Sequence, residues 1–196
     1  DLVERLESDR VGLIVFAGSA FLQTPPTLDY SAFRESLTSI DPKIMTIGGS
    51  NLGSAIEEAA KAFPPDNNVK IVVLLTDGED LTGEALKAAE KVTTEGIKIY
   101  TIGIGTKEGE YLKNRKEDGS EHFVRDSQGQ PVRSQLDELT LKEIANITKA
   151  SYCQLNDQSL EQLYNSVIAN LPRKERESEL QELRIERYQW ALAVAF

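Results

Sequence analysis

The run Ile71-Val72-Val73-Leu74-Leu75 does not alternate with polar residues, and a second apolar-rich run follows it from Ile97 to Gly105. Strands without alternation are covered on both faces, the pattern of a parallel sheet. Between the two runs, residues 83–96 read as a helix closed by Gly96. The three pieces form a βαβ unit, whose right-handed crossover brings both strands out at the same rim. At that rim the first run ends on Thr76-Asp77-Gly78-Glu79-Asp80. In open parallel sheets ligands gather beyond the carboxyl ends of the strands, so Asp77 stands where an ion or a phosphate can reach it. By position alone, Asp77 equally suits a turn aspartate or helix N-cap beside Gly78.

The rest of the chain supplies the partners for this unit. Residues 1–8 put Leu2, Val3 and Leu6 on one helical face, so the chain is expected to begin partway along a helix. Residues 10–18 predict a buried strand, and residues 20–27 a short edge strand stopped by Pro25 and Pro26. Asp29 can then cap a helix containing Tyr30, Phe33 and Leu37. A glycine-rich turn from Gly48 precedes Leu52, Ile56, Ala59, Ala60 and Phe63 at helical spacing, with Pro64-Pro65 ending that helix. Residues 106–136 are polar, with turn signals at Asp118-Gly119 and Gln128-Gly129 around Phe123-Val124, and read as an inserted surface hairpin. A helix over 136–150, a strand over 151–155 and a helix over 159–171 complete one domain, 1–172. The expected fold class is α/β, a three-layer Rossmann-like sandwich with a mostly parallel central sheet and one short antiparallel edge strand. Residues 173–196 read as a charged helix leading through Trp190 into Ala191-Leu192-Ala193-Val194-Ala195-Phe196, the entry to a membrane segment. That run alone falls short of the roughly 20 apolar residues a span needs.

Charge and residue counts remove several classes of function. With 32 acids against 22 Lys and Arg, the net charge of −10 opposes the phosphate neutralisation that nucleic-acid binding requires, so no nucleic-acid partner is expected. Cys153 is the single cysteine, which excludes an internal disulfide and reads as a core thiol. His122 is the single histidine, which excludes a two-histidine zinc site. What the rim does offer is a carboxylate at Asp77 and a hydroxyl at Ser50, hard oxygen donors that suit Mg²⁺ or Mn²⁺ with water completing the shell. Ser50 taken alone would be a helix N-cap. An acidic centre at Asp77 also admits a Mg²⁺-dependent phosphoryl-transfer or phosphatase-like enzyme. That chemistry needs a phosphate clamp, and no Lys or Arg stands between Gly48 and Gly53 or between Thr76 and Asp80. Gly103, Gly105 and Gly109 miss the dinucleotide spacing, and Ser19 and Ser31 lack a histidine to form a triad.

The segments Thr46 to Ile56 and Leu74 to Asp80, with the order of elements, resemble the von Willebrand factor A (VWA) domain over residues 1 to about 171. The resemblance implies a divalent ion at a metal-ion-dependent adhesion site (MIDAS), held by three loops that engage an acidic group on a protein partner. Asp77 matches the T-D-G loop of that site. Ser50 matches the threonine of its glycine-rich loop, keeping the oxygen and losing the methyl that stiffens the rotamer. Asn51, Gly78 and Glu79, which flank them, are implied as partner contacts. The third loop, D-x-S-x-S, has no counterpart in this sequence, and the resemblance puts it, with the first strand of the fold, upstream of residue 1. Weak or no ion binding by this chain follows. More narrowly, Asp9 to Tyr30, Leu74 to Asp80, the hairpin after Thr101 to Thr106 and the carboxyl-terminal segment resemble the Bat (Bacteroides aerotolerance) proteins. That resemblance implies a non-enzymatic, protein-binding module of a bacterial inner-membrane complex, facing the periplasm and serving aerotolerance or envelope stress. Other Bat proteins and a MoxR-type ATPase are its implied partners, and the membrane is reached through segments outside this chain.

Overall fold

The computed structural model describes residues 3–6, 8–41, 48–115, 121–125 and 128–171. From the amino-terminal side the chain makes a 3-10 turn at Val3–Arg5 and two antiparallel strands, β1 (Val11–Phe16) and β2 (Ala20–Thr27). Helices α1 (Tyr30–Thr38) and α2 (Leu52–Ala62) lead to β3 (Lys70–Thr76), α3 (Ala85–Thr93) and β4 (Ile97–Gly103). A two-tier ribbon follows, pairing β5 (Glu110–Tyr111) with β8 (Arg133–Ser134) and β6 (Lys113–Arg115) with β7 (Glu121–Phe123). The chain returns through α4 (Glu138–Ile147), β9 (Tyr152–Gln154) and α5 (Ser159–Ser166), with a 3-10 turn at Ile168–Asn170. The charged helix and membrane entry expected of residues 173–196 lie outside the described residues. Among the described residues, no helix is long and apolar enough to cross a membrane.

The non-alternating runs become the parallel sheet β3-β4-β9, with β3 and β4 in register from Lys70↔Ile97 to Thr76↔Gly103. On one face Ile97 and Ile99 pack with Leu52 and Ile56 of α2, Ala89 and Val92 of α3, and Ile144 of α4. On the other, Tyr100 and Ile102 meet Leu163 of α5. These are the three layers of the expected sandwich, and the alternation along β4 is what serves both faces. Strand β4, paired on both edges, is buried at every position but Lys98. In contrast β3 pairs only with β4 among the described residues, and Ile71, Val72 and Val73 are only half-buried. Among the described residues no ladder joins β1 to β3, and the two sheets are held together instead by α2, which packs on β1, β2 and α3.

Two local expectations are corrected. Residues 1–8 were expected to be helical, yet the described part holds only the turn at Val3–Arg5. Tertiary contacts override the periodicity there: the Arg5 guanidinium reaches Glu161 at 2.8 Å, and Tyr164 donates its hydroxyl to the Arg5 carbonyl at 2.8 Å. The second correction is that Pro25 and Pro26 do not stop β2, which runs through both. The register slips between Val11 and Leu13, so the prolines fall at a bulge opposite Gly12, where their missing N–H groups break no ladder bond. A Cβ on Gly12 would lie 3.1 Å from the Thr24 carbonyl oxygen, close enough to explain the glycine.

Residues 106–136 carry the antiparallel pairs β5-β8 and β6-β7, and the base of this segment belongs to the core. Leu136 is 5% exposed and packs on Gly103. Replacing only residues 112–132 with a short Gly-Ser link is therefore expected to leave the thermal midpoint nearly unchanged. Extending the replacement to Leu136 should lower it by the several degrees that a lost buried leucine, worth about 2–5 kcal/mol, implies. Calorimetry on both variants checks the boundary.

Candidate functional site

Strand β3 delivers Thr76 and Asp77 to the carboxyl rim, and three hydrogen bonds shape the turn that follows. The Gly78 N–H donates to Thr76 Oγ1 at 3.2 Å, the Glu79 N–H to Asp77 Oδ1 at 3.2 Å, and the Thr76 hydroxyl to Asp77 Oδ1 at 3.4 Å. Gly78 holds a φ of +84°, the left-handed region open to glycine. Beneath it the Asp137 N–H donates to the Asp77 carbonyl at 2.7 Å, tying the turn to the start of α4. Asp137 caps that helix, its Oδ1 accepting the Thr140 N–H at 3.1 Å.

The glycine-rich loop closes on the same rim. Asn51 caps α2, its Oδ1 accepting the Ser54 N–H at 2.8 Å, while its own N–H donates to the Ala17 carbonyl at 2.8 Å, just past β1. The helix cap is thus Asn51, leaving the Ser50 hydroxyl outside that role. The Leu81 N–H donates to the Ser50 carbonyl at 3.0 Å, so the loops carrying Ser50 and Asp77 are brought together. Of the flanking residues, Glu79 is exposed and Asn51 half-buried. Gly78 is buried, and a Cβ there would stand 2.5 Å from the Asp137 carbonyl oxygen. The turn folds the Gly78 Cα inward onto α4. Asp80 is occupied as well: its Oδ2 accepts the Ala85 N–H at 2.9 Å, and its Oδ1 the Thr82 hydroxyl at 2.9 Å, so it caps α3.

Ser134, at the end of β8, is the residue that sequence reasoning missed. Its hydroxyl donates to Asp77 Oδ2 at 2.8 Å from 57 positions away, and no periodicity or motif announces it. Nearby cations are engaged. Lys107 and Lys142 both pair with Glu138, the latter at 2.9 Å, and Lys107 first, then Lys142, holds the Glu138 carboxyl below the usual carboxylate range. Cys153 is half-buried on β9, and burial pushes its thiol up, as a packed cysteine requires.

The donor chemistry fits a hard divalent ion in kind: one carboxylate and one hydroxyl, both oxygen. A carboxylate accepts at about four lone-pair positions, so the hydrogen bonds on Asp77 leave room for a ligand. In number the set is small. Among the described residues, no group of three or more His, Cys, Asp or Glu gathers as metal ligands.

Comparison with known proteins identifies relatives of the chain and of its fold. A family model for the von Willebrand factor type A domain matches residues 1–165. An uncharacterized protein of Borreliella burgdorferi is 31% identical over 159 residues, covering 79% of this chain and 44% of that protein. The chain spans less than half the length of the curated relatives it matches. Among solved structures, the conserved hypothetical protein BatB from Bacteroides thetaiotaomicron superposes with a TM-score of 0.79 at 34% identity, over 86% of this chain and 82% of that one. An aerotolerance-related membrane protein from Bacteroides fragilis gives 0.75 at 34% identity, over 84% and 83%.

Proposed function

We propose that this chain, which belongs to the von Willebrand factor type A domain family, is a non-enzymatic protein-binding module that engages an acidic group of its partner at the rim formed by Ser50 and Asp77. One observation carries the reading: the Leu81 N–H, in the loop that continues from the Thr76-Asp77-Gly78 turn, donates to the Ser50 carbonyl and so draws two loops far apart in sequence together beyond the carboxyl end of a parallel sheet. Ser50 and Asp77 would hold Mg²⁺ or Mn²⁺, and the ion supplies an open coordination position for a carboxylate. Exposed Glu79 and half-buried Asn51 border that position. The similarity to BatB and to an aerotolerance-related membrane protein supports a place in a bacterial inner-membrane complex, with the domain in the periplasm and a role in aerotolerance or envelope stress. Other Bat proteins and a MoxR-type ATPase are the partners that reading names.

An experiment on the immobilised chain separates this from the phosphoryl-transfer alternative. Binding of partner proteins from a bacterial membrane extract is expected to require millimolar Mg²⁺ and to be abolished by EDTA and by Asp77→Ala. Release of phosphate from p-nitrophenyl phosphate that depends on Mg²⁺ and disappears in Asp77→Ala would overturn the non-enzymatic reading.

A further inference from the structure

Ser134 closes the antiparallel pair of β5 and β8 through its register with Glu110, so its position is set by the insert. On one side its hydroxyl donates to Asp77 Oδ2 at 2.8 Å. On the other it borders a cleft of about 390 Å³ walled by Thr106, Tyr111 and Leu136. Backbone bonds fix this approach: the Leu136 N–H donates to the Thr106 carbonyl at 3.0 Å, and the Asp137 N–H to the Asp77 carbonyl at 2.7 Å. The base of the insert is thus anchored on the turn whose carboxylate Ser134 holds.

We infer that Ser134 is a positioning residue for Asp77, through which the insert becomes part of the candidate ion site. The inference rests on the ion-binding reading of Asp77. Among the described residues, Ser134 is the nearest donor to this carboxylate, at 2.8 Å against 3.2 Å for the Glu79 N–H and 3.4 Å for the Thr76 hydroxyl. The two weaker bonds both fall on Oδ1, so among the described residues Ser134 supplies the hydrogen bond on Oδ2 and with it the shortest restraint on the carboxylate. Ligating carboxylates are themselves held by hydrogen bonds, and removing such a partner typically lowers metal affinity about 10–100-fold. An ion that shifts Asp77 shifts Ser134 with it, and the β5 strand paired to Ser134 registers the change.

Titration of the labelled chain with Mg²⁺, followed by amide chemical shifts, tests this. In the wild type, Gly78 and Glu79 are expected to move together with Glu110, Tyr111 and Ser134, all with one midpoint. Ser134→Ala should weaken that midpoint 10–100-fold and silence Glu110 and Tyr111, and Ser134→Thr, which keeps the hydroxyl, should restore both. An unchanged midpoint in Ser134→Ala overturns the inference and leaves the ion site standing. If Ser134→Ala fails to fold, the wild-type titration decides alone: shifts at Gly78 and Glu79 without any at Glu110, Tyr111 or Ser134 also overturn it. Absence of shifts at Gly78 and Glu79 themselves, even at tens of millimolar Mg²⁺ where a weak site would fill, overturns ion binding by this chain, and the positioning role with it.

Discussion

Replacing Gly78 by alanine is expected to lower stability by about 2–5 kcal/mol and the thermal midpoint by roughly 10 °C, a large effect for a single methyl group. Two costs add. At φ +84° an L-residue carries a penalty of about 1–2 kcal/mol, and overpacking of a filled site typically adds 1–3 kcal/mol. The obstruction is firm, because the new Cβ would lie 2.5 Å from the Asp137 carbonyl oxygen and 2.9 Å from Leu141 Cγ. That backbone oxygen cannot turn aside without moving the first turn of α4. Gly83 provides the control: its φ is +68°, but nothing lies within 4 Å of its would-be Cβ, so Gly83→Ala should lose only the conformational part, about 1 kcal/mol. Urea denaturation of the two variants measures the difference. Equal losses would mean that the turn carrying Asp77 is free of α4 and can be displaced cheaply.

The parts of the molecule legible in sequence are those whose cause is local. Ile71 to Leu75 and the run from Ile97 announce parallel strands because they lack polar alternation, and β3 and β4 form there in register, but the burial expected of both holds only for β4, which is paired on both edges. The rim followed from the same reasoning, since parallel strands joined by a helix must end side by side. Elements fixed by distant contacts were not legible. Val3 to Arg5 has a helical pattern but is held as a turn by Glu161 and Tyr164. The prolines of β2 read as a stop, because a bulge opposite Gly12 is a property of the pair of strands and not of either one. Asp80 reads like part of an acidic centre, and only the arrival of α3 makes it a cap. Ser134 lies in a polar insert with nothing to separate it from Ser127 or Ser120 in the sequence, and its bond to Asp77 exists because β8 returns along β5.

Substitution of Asp77, the proposed ion ligand, should have the largest effect on function. Asp77→Asn keeps the size of the side chain and one oxygen but removes the charge that makes a carboxylate a hard ligand, so the residual site has a hydroxyl and an amide oxygen in place of an anion. Fold should survive, because the amide oxygen can still accept the Ser134 hydroxyl, 2.8 Å from Oδ2 in the carboxylate form, and the bond then lost from the Glu79 N–H to Oδ1, 3.2 Å long, is exposed to water. Mn²⁺ titration followed by electron paramagnetic resonance, on the wild type and Asp77→Asn in parallel, is the most direct measurement. With Ser50 and Asp77 as its protein oxygens, the wild type is predicted to bind weakly, at about 0.1–1 mM or above, and Asp77→Asn to leave the Mn²⁺ signal that of the free ion. Binding at low micromolar Mn²⁺, or a titration that Asp77→Asn does not change, would contradict the account.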